Sequence, residues 1–83
     1  GAGELDAARA YVHKAISMDS DGPKAFNLLG GLHEAGRNRL EAEKNYRVAL
    51  ALSPSYKPAQ KNLDRVTSRP YTALGIDWGF QTK

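Results

Sequence analysis

Displacing the sequence against itself by 34 residues lays Ala8 on Ala42, Ala15 on Ala49, Ala25 on Ala59 and Leu29 on Leu63. Ile16 then falls on Leu50, Met18 on Leu52 and Leu32 on Val66, so side-chain size is kept where identity is not. Charged positions drift freely between the two copies. An internal period of this length constrains the chain more than its composition does. It calls for one supersecondary unit stacked on another, each burying a face that a single unit cannot bury alone.

The unit is helical. Leu5, Ala8, Val12, Ala15 and Ile16 recur at three- and four-residue steps, which places them on one face of a first helix. After SDGP, where Asp21 or Gly22 serves as a cap and Pro23 suits a first turn, a second helix carries Ala25, Phe26, Leu28, Leu29, Leu32 and Ala35. Gly36 is expected to stop it. A third helix starts near Arg39, carries Leu40, Ala42, Tyr46, Ala49, Leu50 and Leu52, and ends before Pro54. A fourth has Pro58 in its opening turn and Ala59, Leu63 and Val66 on one face, and it ends before Arg69-Pro70. Only YTALGIDWGFQTK breaks this rhythm. There Leu74, Ile76, Trp78 and Phe80 alternate with Gly75, Asp77 and Gly79, the period of an extended segment.

The stretch from Phe26 to Pro54 resembles a tetratricopeptide repeat (TPR), whose pattern is W-x2-L-G-x2-Y, then A-x3-F, then P. Phe26 stands for the Trp, Leu29-Gly30 for the Leu-Gly, His33 for the Tyr, Ala42 for the Ala, Tyr46 for the Phe and Pro54 for the Pro. Ala49 occupies a further small site that the family favours. The resemblance implies an all-α array of antiparallel helix pairs, an α-solenoid fragment of about four helices, with an extended C-terminal tail. Residues 1–68 form the repeat domain, with one full repeat at 23–56 flanked by half repeats, and 69–83 form an apolar tail. Gly30 would let the paired helices approach closely, against a helix cost of about 1 kcal/mol. Gly31 has no packing reason of its own; it either simply weakens the helix or lets a ligand approach.

The resemblance also implies a function. Repeats of this family bind peptides or proteins on the concave face, which here comprises Lys24, Asn27, Gly31 and Glu34, then Lys61, Asn62 and Arg65. The family's clamp for a C-terminal carboxylate uses Lys, Asn and Arg; Lys61 and Arg65 fit it, whereas Leu28 and Gly31 depart from it. The expected role is a non-enzymatic protein-interaction scaffold whose partner segment is acidic. The alternative is a self-assembly module, in which repeat faces and the tail join copies of the chain. The face of Leu5, Val12 and Ile16 requires a cover in either case. Leu74, Ile76, Trp78 and Phe80 are expected to dock as an apolar strip on a helical face, in the same chain or a neighbouring one.

Other classes find little support. The chain has 83 residues, 41% apolar and 25% charged, which suits one small globular domain. It has no cysteine, which excludes disulfides and thiolate chemistry. No apolar run approaches the roughly 20 residues that cross a bilayer, and GAGELDAARA lacks the regions of a signal peptide. A net charge of +3 is too small to argue for nucleic acid, although Lys57, Lys61 and Arg65 lie four apart with Arg69 beyond. His13 and His33 have no metal-ligand spacing. Glu41 and Glu43 point apart on a helix, Gly30-Gly31 lacks phosphate-loop spacing, and no Ser sits in GxSxG. No enzyme, metal or cofactor is expected.

Overall fold

The fold is described by a computed structural model covering residues 6, 9–10, 12–14, 16–17, 22–72 and 75–79. Among these the architecture is all-α, with no strand. The described positions between 6 and 17 are helical and form α1. They are followed by α2 (Pro23–Ala35), α3 (Arg39–Leu52) and α4 (Lys57–Val66). Leu5, Ala8, Ala15, Met18, Asp21, Leu74 and Phe80, all named from the sequence, lie outside the described residues.

Local chemistry sets the helix ends. Gly22 in extended conformation caps α2, with Pro23 in the first turn, where a missing N–H costs nothing. At the other end Asn38 N–H donates to the His33 carbonyl (2.8 Å) and Arg37 N–H to the Glu34 carbonyl (3.0 Å). This is the Schellman pairing, which requires one left-handed residue. Gly36 ends α2 as expected, in the cap position at φ −86°, and the left-handed residue is Arg37, at φ 68°. Asn38 then caps α3 through its side chain, accepting from Glu41 N–H. Ser53 closes α3, and Pro54 prevents its continuation.

Helices α2 and α3 fold back as a hairpin and make the main interface, α4 packs on α3, and α2 meets α4 only narrowly. Ala25, Leu28, Ala42, Tyr46, Ala49, Ala59 and Val66 are buried, the small residues falling where the helices come closest. The radius of gyration is 11.8 Å, that of a compact chain of this length. Val12 of α1 is fully buried within a single chain, and Ile16 is half-buried.

Gly30 shows how tight the hairpin is. A Cβ at this position would lie 2.5 Å from Tyr46 Cε1 and 2.6 Å from Cδ1. The ring cannot give way, because Tyr46 is fully buried and its hydroxyl is tethered to Glu34. Alanine improves helix propensity by about 1 kcal/mol, whereas overpacking a close-packed core costs about 1–3 kcal/mol. Gly30→Ala is therefore expected to be net destabilising, read as a lower midpoint of urea unfolding at unchanged slope.

Candidate functional site

Of the residues assigned from sequence to the concave face, Asn27, Gly31, Glu34, Lys61, Asn62 and Arg65 are brought together by the fold, but most of the assigned set is buried. Asn27, Gly31, Glu34 and Asn62 are buried, Arg65 is largely buried, and only Lys24 and Lys61 are exposed. What covers them is the chain's own segment 75–79, together with Tyr71.

Asn27 on α2 and Asn62 on α4 face each other, and the Asn62 amide donates to Asn27 Oδ1 (2.8 Å). The two carboxamides grip the backbone of Asp77. Asn62 accepts from Asp77 N–H (2.8 Å) and donates to its carbonyl (2.7 Å), and Asn27 donates to the same carbonyl (2.9 Å). One side-chain amide thereby reproduces a rung of a β-ladder and satisfies backbone groups that burial would otherwise strand.

The segment is not the straight strip expected from its alternation. Gly75 and Gly79 have φ +90° and +79°, so these glycines turn the chain and do not merely leave one side bare. Asp77 Oδ1 accepts from Gly79 N–H (2.9 Å), making a tight local turn. Trp78 sits at its apex with the indole on the backbone of Gly31. A Cβ on Gly31 would come within 2.5 Å of Trp78 Cζ3. That contact is the packing reason for Gly31 that the sequence alone did not offer. Ile76 and Trp78 are each half-buried.

Below the groove lies a charged cluster. The fully buried Glu34 carboxylate accepts from Tyr46 Oη (2.7 Å), Tyr71 Oη (2.8 Å) and Arg65 Nη2 (2.5 Å). Arg65 also donates to Asn62 Oδ1, which joins the cluster to the amide pair. Tyr71 is held from its other face by the Arg39 guanidinium, 3.9 Å from the ring centroid, while Arg39 donates to the Val66 carbonyl at the end of α4.

These partners revise the electrostatic expectations. Arg65 is committed to Glu34 and Asn62, so it is not offered to a ligand carboxylate, and the stripe Lys57–Lys61–Arg65–Arg69 is interrupted at its third position. Lys57 and Lys61 remain exposed on this stripe, and Lys61 Nζ lies 3.8 Å from Asp77 Oδ2. Tyr46, Tyr71 and Asp77 are site residues that sequence reasoning placed only in the core or the tail. A signal for the first existed: a tyrosine at a core position brings a hydroxyl that must find a buried partner.

The ionisable groups of the cluster are occupied with one another, and among the described residues no group of three His, Cys, Asp or Glu could hold a metal ion. No described helix is long and apolar enough to cross a membrane. No family model matches the chain, and no solved structure matches it.

Two outcomes follow from the cluster. Glu34→Leu strands the Arg65 charge and the Tyr46 hydroxyl, at an expected cost of about 3–5 kcal/mol by urea unfolding. Adding Arg65→Met and Tyr46→Phe removes the stranded groups and should restore most of that loss. The second outcome concerns pH. Burial first, then the hydrogen bond to Glu34 and its charge, push the Tyr71 phenol from 10.0 up to about 12. Burial and Glu34 likewise raise Tyr46, and burial and the charge of Asp77 raise Tyr56. The folded state thus holds these protons more tightly than the unfolded state. The stability they contribute is complete below about pH 10 and is lost as pH rises through the folded values. Tyr71→Phe should be less stable at neutral pH and lose stability less steeply between about pH 10 and 12.

Proposed function

We propose that this chain is a non-enzymatic protein-interaction module of TPR-like architecture that holds a partner segment in the groove between α2 and α4. The single observation that carries the reading is the amide pair. Asn27 and Asn62, both buried, bind the N–H and C=O of one residue in a non-helical segment. Groups that recognise backbone accept any segment able to present it, and side-chain slots beside them add selectivity. The 34-residue spacing of small residues and the helical hairpin 23–52 are consistent with a repeat of that family, in which this face carries ligands. An acidic partner is favoured by Lys61, which already faces Asp77.

A second reading has its own observation. Leu40, Val48 and Leu52 are exposed on α3, on the side away from the groove. A stacked repeat or another copy of the chain would cover them, and sedimentation velocity at rising concentration would show the assembly.

Selection from a random peptide library tests the interaction reading, using the full chain carrying Trp78→Ala so that the groove is less firmly occupied. Acidic binders are expected, weakened a few-fold by Lys61→Glu, since one exposed charge contributes under about 1 kcal/mol. Recovery of no binder by a variant with native helical content would remove the reading.

A further inference from the structure

We propose that the groove reads an acidic–indole–glycine triplet, and that Asp77-Trp78-Gly79 is a built-in copy of it that a partner segment of the same sequence must displace. The inference rests on the interaction reading above and names the ligand of that site.

Each residue of the triplet meets a different discriminator. The first is set in register by its backbone, through Asn27 and Asn62. Its carboxylate does two further things: one oxygen accepts from the N–H two residues on, shaping the turn, and the other faces Lys61. Asparagine would keep the turn and lose the charge pairing.

The second residue lies over Gly31. The indole approaches the α2 backbone so closely that any side chain at 31 would occupy the same space. A flat aromatic face fits such a slot, and a branched aliphatic does not fill it. The two adjacent glycines of α2 thereby have separate uses: Gly30 admits Tyr46 from within the fold, and Gly31 admits the ligand's ring.

The third residue must be glycine on two counts. Its φ of +79° is one that side-chain-bearing residues rarely adopt. A Cβ there would also lie 2.5 Å from Tyr56 Oη and 3.5 Å from Asn27 Nδ2.

The segment is suited to exchange. Trp78 is half-buried and lies over Gly31 in the groove, outside the core cluster of Ala42, Tyr46 and Val66. Lys61, across from Asp77, is itself exposed. A short tether gives the built-in copy an effective concentration on the order of millimolar, which a free segment must overcome. The tail thereby sets a threshold for binding and filters out weak ligands.

The test uses the full chain and the peptide TALGIDWGFQT, residues 72–82. Trp78 is the only tryptophan of the chain, so in the Trp78→Ala chain the peptide's indole reports alone. A saturable blue shift of its emission is expected. A fluorescein-labelled peptide should bind this variant at least ten-fold more tightly than it binds wild type. In the peptide, Trp→Ala or Gly→Ala should weaken binding at least ten-fold, and Asp→Asn a few-fold, with the Asp effect fading in salt. Gly31→Ala added to the host should abolish binding while circular dichroism stays helical.

Equal affinity for wild type and variant would overturn the proposal, as would a Gly→Ala peptide that binds like the parent. Gly79→Ala provides a second host, altered outside the helices. Loss of helical content in both hosts would show the segment to be structural and end the proposal. Library binders lacking the triplet would overturn it and leave the broader interaction reading standing.

Discussion

The Glu34 carboxylate is the point on which the rest of the structure depends. It is fully buried and accepts from donors 12, 31 and 37 residues away along the chain. Those donors belong to α3, to α4 and to the segment after α4. An ion in this position cannot be left half-satisfied, because a buried charge without partners costs several kcal/mol. The elements that supply its donors are thereby obliged to arrive together. A buried ion pair adds little net stability compared with a well-packed apolar core, but it tolerates far fewer alternative arrangements. For a chain of 83 residues, whose apolar core is small, that selectivity matters as much as the energy.

Helix α2 is approached by aromatic rings at two neighbouring positions. Successive residues on a helix point about 100° apart, so Gly30 and Gly31 open two adjacent faces. Tyr46 fills the first from α3 and Trp78 fills the second from the tail. The two contacts differ in consequence. The Tyr46 ring is buried and tethered through its hydroxyl, so the hairpin cannot relax around an added methyl. The Trp78 ring is half-buried and belongs to a segment outside the helices, so that contact lies at the edge of the core.

The polar face of the groove is continuous with the core. Arg65 bridges Glu34 below to Asn62 above, and Asn62 in turn holds Asn27 and Asp77. The groove amides are consequently preorganised: Asn62 donates twice and accepts from both Arg65 and Asp77, leaving it little freedom to rotate. Preorganisation of this kind lowers the entropy lost when a segment is captured. It also explains why a face that reads as polar and charged in the sequence is largely inaccessible in the fold.

The helices and their ends were legible in the sequence because they depend on neighbours along the chain. Periodic apolar positions, Pro23, Pro54 and Pro58 act within one or two turns, and the spacing of Ala25 and Ala59 already marked where helices touch. The same local reasoning ended α2 at Gly36, where it does end, but did not mark Arg37 as the left-handed residue that closes the turn. The residues of the groove were legible as a set, since Asn27, Gly31, Glu34, Lys61, Asn62 and Arg65 do come together. Their roles were not. Whether Glu34 meets water or two tyrosines and an arginine depends on Tyr46, Arg65 and Tyr71, and whether Gly31 is bare or covered depends on Trp78. No periodicity in the chain encodes those encounters. Helix geometry is written in residues a few positions apart, whereas burial and hydrogen-bond partners are set by groups dozens of residues apart, and only the folded chain brings them into contact.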